Sequence, residues 1–218
     1  MRLFVTGTDT GVGKTEISKA LAIDAVRQSG TDVGYQVRVF AYKPIETGID
    51  GSEASIRASD ACVLAAAAGD WQRGEEICAY RLPLAAAPSV AAAAAGIHID
   101  LERVLAIVNR HREATLVVVE GAGGWRVPIS ESTDMAGFAR MLGFEVIVVA
   151  RAGLGTINHS LLTLDAVASS GLVVRALVLS RRPEDESAMV ESNVTEIEKR
   201  WSGRVLVWSP GQALLGRI

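Results

Sequence analysis

Lys14 and Thr15 close the run Val5-Thr6-Gly7-Thr8-Asp9-Thr10-Gly11-Val12-Gly13-Lys14-Thr15, which leads from an apolar strand into a helix. Glycines in such a turn let the backbone curl until several N–H groups face one oxyanion. A helix starting there adds the positive end of its dipole. The lysine then reaches the β- and γ-phosphates of a nucleotide, and the hydroxyl can ligate Mg²⁺. These residue types predict a phosphate-binding loop. The strict Walker spacing asks for glycine at position 8, where Thr8 stands; Gly7 is one residue early. A Gly/Thr-rich turn before an ordinary helix has the same composition. The strand-to-helix position of Gly-Lys-Thr favours the loop.

Other residues gain meaning beside that loop. Glu120 ends an apolar strand and begins Glu120-Gly121-Ala122-Gly123-Gly124. A carboxylate there can face a Mg²⁺ held by Thr15, and the glycines let backbone approach a ligand. A solvated strand-end glutamate before a flexible turn is the competing reading. Lys43 follows a second apolar strand and precedes Pro44; near bound phosphate it would stabilise a transferring phosphoryl group, though lone lysines are usually solvated. Thr47-Gly48 lies just beyond, on a loop of the same edge, and says nothing alone. Asp60 reads as a helix cap or surface residue, and its spacing does not make it a metal ligand. Gly153-Leu154-Gly155-Thr156-Ile157-Asn158-His159 is a second Gly-rich strand-to-helix junction. Its free N–H groups suit a carboxylate. Thr156 or Asn158 as a plain helix cap is the default reading, and His159 reads as structural.

The elements that must hold these residues alternate. Strands are expected over 2–6, 37–42, 116–119, 146–150, 173–179 and 205–208. Helices are expected over 14–29, stopped by Gly30, and over 53–68, 101–112 (capped by Asp100), 133–142, 158–169 and 184–200. The Ala-rich stretch 84–95 reads as a short helix interrupted by Pro88. Continuous apolar strands alternating with helices predict an α/β fold, P-loop NTPase-like, with a mostly parallel sheet covered by helices on both faces. In such sheets the ligand sits beyond the carboxyl ends of the strands, which gathers 7–15, Lys43, Glu120 and 151–158.

Composition narrows the classes. The 218 residues, 49% hydrophobic with mean hydropathy +0.26, suffice for one domain, residues 1–218, with a buried core. No repeat and no Gly/Ser/Pro linker divides them. A net charge of −3 without a long basic run argues against nucleic acid as the main partner. Apolar runs fall short of a membrane span. Met1-Arg2 leads directly into a strand, so no export signal is read. Two cysteines, Cys62 and Cys78, make no disulfide framework; a reduced, cytoplasmic protein is expected.

Taken together the motifs resemble the dethiobiotin synthetase family. The segments are Val5 to Thr10, Val12-Gly13-Lys14-Thr15, Tyr42-Lys43-Pro44, Thr47-Gly48, Ser59-Asp60, Val119 to Gly124, Leu154 to His159 and Leu162-Thr163. They follow the family's order over roughly residues 1–180. The resemblance implies a Mg²⁺- and ATP-dependent ligase that forms dethiobiotin from 7,8-diaminononanoate and CO₂. A substrate amine captures CO₂ as a carbamate, whose oxygen attacks the γ-phosphate. The second amine closes the cyclic urea and releases phosphate. Lys14 and Lys43 would be the catalytic cations. The nucleotide would be bound by Thr10, Gly11, Val12, Gly13, Lys14, Thr15, Glu16, Asp60, Glu120, Gly121, Ala122, Gly123 and Ser180. Thr15, Asp60 and Glu120 would arrange Mg²⁺. Thr10 would also touch the substrate, Thr47 would contact its diamine end, and Leu154, Gly155, Ile157 and Asn158 its tail carboxylate, across the interface of a homodimer.

Two positions depart from that pattern. Gly11 stands where some members have an acidic residue. Ser180-Arg181 stands where many have Asn-Asp, the asparagine reading adenine. One hydroxyl cannot offer the paired donor and acceptor of an amide. Weaker adenine discrimination, with use of other nucleoside triphosphates, is expected. The segment Val207-Trp208-Ser209-Pro210-Gly211 falls in the region of the family's base-flanking loop without a secure alignment. Two rivals are weaker. A glutaminase-coupled amide synthase needs a longer chain with a nucleophilic cysteine. A partner-binding switch of the ParA/MinD kind carries a signature lysine five residues before the loop lysine, where this chain has Asp9.

Overall fold

The computed structural model describes residues 1–29 and 38–218. Six parallel strands form the main sheet: β1 (Arg2–Gly7), β2 (Val39–Tyr42), β5 (Leu116–Gly124), β6 (Glu145–Arg151), β7 (Val174–Ser180) and β8 (Val205–Trp208), in the order β2-β5-β1-β6-β7-β8. Two short strands, β3 (Ile45–Thr47) and β4 (Tyr80–Leu82), pair in parallel as a separate ribbon. The central strand β1 has β5 on one side and β6 on the other. That reversal of strand order opens a crevice at the carboxyl ends.

Alternation along each strand builds two apolar layers. Leu3 and Val5 face one side with Val39, Ala41, Val118 and Ile147. Helix α1 (Lys14–Ser29) covers that side through Ile17, Leu21 and Ala25, with α3 (Asp60–Ala67) beside it through Leu64. Phe4, Phe40, Tyr42, Val117, Val119 and Val148 face the other side. There α5 (Leu101–Arg110), α6 (Met135–Leu142), α7 (Thr156–Ser169) and α8 (Ser187–Glu198) contribute Ile107, Phe138, Leu164 and Ile197.

Several expected boundaries move. Gly30 and Val37 lie outside the described residues. The stretch 53–68 is two helices, α2 (Glu53–Arg57) and α3, because Ser59 caps α3 through its side chain rather than continuing α2. Pro88 begins α4 (Pro88–Ala95) instead of interrupting a helix; its missing N–H is harmless in a first turn. Strand β5 runs on through Glu120 to Gly124, which pairs with Gly7. Both residues lack a side chain, and a Cβ on Gly124 would stand 3.4 Å from the Gly7 carbonyl. Thr47 lies in β3 opposite Leu82, not in a loop. Helix α7 is capped by Gly155 at φ +89° with no side-chain cap, so neither Thr156 nor Asn158 has that role. Among the described residues no helix is long and apolar enough to cross a membrane.

The outer edge of β2 is covered by side chains. The Gln72 amide accepts from the Ala41 N–H at 3.3 Å and donates to the Ala41 carbonyl at 3.0 Å. The Trp71 indole donates to the Val39 carbonyl at 2.9 Å. Gln72 is fully buried and does there what a neighbouring strand would do.

Cys62 and Cys78 are both free. Cys78 is enclosed, with its Sγ against the Pro44 and Tyr80 carbonyls, and burial pushes its thiol up to about 12. The unfolded value is lower, so this group favours folding below about pH 9 and loses that contribution as pH rises toward its folded value. Iodoacetamide at pH 8 is expected to modify the half-buried Cys62 and spare Cys78 until denaturant is added. Equal labelling of both in the native protein, read by mass, would contradict this enclosure.

Candidate active site

The loop after β1 takes its shape from its glycines. Gly11 at φ +70° and Gly13 at φ +106° lie in the left-handed region. Gly7 explains the unusual spacing: a Cβ there would stand 2.8 Å from both the Asp9 carbonyl and the Val12 side chain. Glycine is needed at that position to fold the loop back on itself, so Thr8 is tolerated at the next. Lys14 is buried and donates to the Asp9 carbonyl at 3.0 Å, lying back along the loop. Burial lowers its pKa, against the attraction of Glu120.

Three elements bring their charged residues together here. Glu120, from β5, is wholly buried, not a solvated strand end. Its Oε1 accepts from the Thr15 hydroxyl at 2.9 Å and from Lys43 Nζ at 2.9 Å. Its Oε2 is buried with no hydrogen-bond partner. Lys43, one residue beyond β2, is buried as well and also pairs with Asp60, the first residue of α3. Burial alone would lower the Lys43 pKa; Glu120 and Asp60 outweigh it and hold the ammonium above its ordinary value. Lys43 is therefore a fixed positive charge at neutral pH.

Asp60 keeps 44% of its side chain exposed, so it links the buried pair to solvent. Its placement also answers a question that spacing left open: although it sits at a helix start, its carboxylate turns toward Lys43. Among the described residues no three His, Cys, Asp or Glu side chains converge to hold a metal by themselves. The available donors are the Thr15 hydroxyl, the Asp60 carboxylate and the unpartnered oxygen of Glu120. All are hard oxygens, the donor type Mg²⁺ selects, and Mg²⁺ usually completes its shell with phosphate oxygens and water.

The remaining nominated residues spread around this centre. Ser180, at the end of β7, faces the loop: a Cβ on Gly13 would stand 2.7 Å from its Oγ. Arg181 is occupied, its guanidinium donating to the Asp185 carbonyl and the Ser187 hydroxyl. Glu16 is exposed and lines a cavity of ≈ 280 Å³ between α1 and the C-terminal segment, with Lys19, Asp24, Trp208, Pro210 and Gln212. Gly121 is buried, while Ala122 and Gly123 are half-buried beyond Glu120. Thr10 is exposed at the loop's outer turn, and Val12 is in the core. Residues Leu154, Gly155 and Asn158 are exposed at the start of α7, Leu154 at 94%, with Ile157 half-buried. The Thr156 and Ser160 hydroxyls hydrogen-bond to each other within α7 itself.

Three further residues were not singled out from the sequence. Arg151 ends β6 with a guanidinium nitrogen 3.7 Å from where a Cβ on Gly11 would lie. Asn193, buried on α8, donates to the Ala152 and Gly153 carbonyls and so fixes the turn that leads into α7. Glu46 is buried in β3 and accepts from the Asp60 and Ala61 amides. A lone carboxylate beside Ile45 was a hint, but its partners lie fourteen and fifteen residues away.

An AAA domain family matches residues 1–216. The ATP-dependent dethiobiotin synthetase BioD of Anaeromyxobacter dehalogenans (strain 2CP-C) is 40% identical over 222 residues, covering 99% of this chain and 93% of that one. The protein of the same name from Marinobacter nauticus is 38% identical over 192 residues, covering 87% of this chain and 79% of its own. In shape, the Pyrococcus furiosus cell division ATPase MinD aligns with TM-score 0.51 over 90% of this chain and 80% of that one, at 15% identity. That identity speaks for the fold alone.

Proposed function

The chain belongs to the ATP-dependent dethiobiotin synthetase family, and we propose that the strand-end crevice around Lys43 performs that family's cyclo-ligation on 7,8-diaminononanoate, CO₂ and ATP. The observation that carries the reading is the Lys43 ammonium held between Glu120 and Asp60 beside the phosphate-binding loop. The reaction passes through a carbamate, a phosphoryl transfer and a phosphate leaving group. Each step accumulates negative charge and none needs a protein nucleophile. Fixed cations placed where that charge develops are the help such chemistry wants.

Loop amides and Lys14 bind the β- and γ-phosphates. Thr15, Asp60 and Glu120 hold Mg²⁺, which neutralises phosphate charge when bound. Lys43 stabilises the carbamate and the transferring phosphoryl group. The carbamate oxygen displaces ADP from the γ-phosphorus. The second amine then attacks the carbamoyl carbon, and phosphate leaves as the urea closes. Thr10 and Thr47 contact the diamine end. Gly11, Gly13, Glu16, Gly121, Ala122, Gly123 and Ser180 bound the nucleotide, and the cavity lined by Glu16 and Trp208 suits its nucleoside end.

The tail carboxylate is assigned to the N-terminal turn of α7 in a partner subunit, through Leu154, Gly155, Ile157 and Asn158. The exposed apolar side chains Leu154 and Leu162, at 94% and 61%, support such a homodimer. A cytoplasmic location fits two free thiols.

Phosphate release with Mg²⁺-ATP and bicarbonate is expected to depend on 7,8-diaminononanoate and to yield a product of dethiobiotin mass. Diamine-independent release, or no such product with any nucleotide, would overturn the assignment. In the same assay CTP and GTP are expected within about tenfold of ATP in kcat/KM, roughly the 1.4 kcal/mol that one lost contact spans. Near-exclusive use of ATP would show that Ser180 does not relax the choice of base.

A further inference from the structure

Glu46 stands three residues after Lys43 and is only 6% exposed. Its Oε1 accepts from the Asp60 N–H at 2.7 Å and its Oε2 from the Ala61 N–H at 3.1 Å. The next amide of α3, that of Cys62, is taken by Ser59 Oγ at 3.3 Å. Ser59 is thus already the ordinary cap of this helix. A second, buried carboxylate reaching in from a separate ribbon exceeds what capping requires. Burial raises the Glu46 pKa, while the two amides and Lys43 favour its charged form.

The contacts close a ring. Lys43, Pro44, Ile45 and Glu46 are consecutive in the chain. Glu46 grips the backbone of Asp60, and the Asp60 carboxylate returns to Lys43. The ribbon that carries Glu46 is itself anchored, since the Pro44 carbonyl accepts from the Ala79 and Tyr80 amides at 3.1 and 2.9 Å. Asp60 is partly exposed and would otherwise depend on the end of a short helix for its position.

We propose that Glu46 is a positioning residue for the ligation, acting through the Asp60 and Ala61 amides to hold the Asp60 carboxylate against Lys43 and toward the Mg²⁺-nucleotide. The inference rests on the roles proposed above for Lys43 and Asp60.

Glu46→Gln keeps one acceptor oxygen but turns an N–H₂ group toward a backbone N–H. It is expected to lower kcat about 10- to 100-fold and to raise the Mg²⁺ concentration for half-maximal rate, the size typical of residues that orient metal ligands. Glu46→Asp retains the charge but is too short to reach both amides; it provides an intermediate loss where Glu46→Gln folds poorly. The deciding measurement is a double-mutant cycle with Asp60→Asn. In the Asp60→Asn background, Glu46→Gln is expected to cost less than about twofold in kcat, because its effect passes through Asp60. Full, undiminished loss in that background overturns the proposal. So does a lower melting temperature with kcat and Mg²⁺ dependence unchanged, which marks a purely structural cap. Wild-type kinetics in Asp60→Asn alone would instead overturn the reading of Asp60, a separate result.

Discussion

Lys43→Gln is expected to lose about 10²- to 10³-fold in kcat while still binding nucleotide, as removal of one fixed electrostatic stabiliser costs roughly 2.7–4 kcal/mol. The ammonium is buried and charged, held by two carboxylates above its ordinary pKa. No other lysine or arginine is paired with Glu120 among the described residues. The shorter, neutral glutamine leaves the buried Glu120 carboxylate without its cation, so a lower melting temperature accompanies the loss, and kcat is compared at a temperature where the variant is folded. Nucleotide binding survives because Lys14 and the loop amides stay in place. A kcat within about threefold of wild type, with a fluorescent nucleotide bound normally, would remove Lys43 from the mechanism.

Glu120→Ala is expected to be the most damaging change to the molecule as a whole. Glu120 is the fully buried half of an ion pair and the acceptor for the Thr15 hydroxyl. Removing one partner of a buried pair costs roughly 3–5 kcal/mol, and here Lys43 keeps only the partly exposed Asp60 as its counter-charge. For a chain of this size that corresponds to a fall in Tm of about 6–20 °C. Activity is expected to fall with it, since the anchor of Lys43 and the acceptor for the Thr15 hydroxyl, the oxygen proposed above to face Mg²⁺, are lost together. Thermal denaturation in parallel with the ligation assay separates the two effects. A melting temperature within about 2 °C of wild type would show that the pair is not worth its burial.

The alternation of apolar strands and helices was legible in the sequence, as were the strand ends that carry Lys14, Lys43 and Glu120. Period and turn chemistry act locally, and a single sequence displays them. Less visible were features made by contacts between distant segments. Asp60 looked like a cap because its neighbours are those of a helix start; its meeting with Lys43 depends on how α3 packs on α1. The ribbon of β3 and β4 was missed because three-residue strands give no period to read. Glu46 was missed for the same reason. Ser59 split a helix that composition alone continued. Strand β5 outran its expected end because Gly123 and Gly124 were read as turn residues. Gly124 instead lies close against Gly7 of β1, while Gly123, at φ +68°, packs against Val127. The fold shared with MinD accompanies an Asp9 in place of a second loop lysine, so likeness of shape and chemistry of the loop are separate matters.

The Gln72 amide on the rim of β2 has a consequence for how copies of this molecule can meet. Both polar groups of Ala41 that point outward are spoken for, and so is the Val39 carbonyl. A second chain finds no ladder to join on the side that carries Lys43. Continuous cross-molecule sheets, the usual route from parallel edges to fibrils, are closed on that flank. The strand that leads to Lys43 is thus held in register by side chains of its own chain, Gln72 and Trp71, without a neighbouring strand on that side.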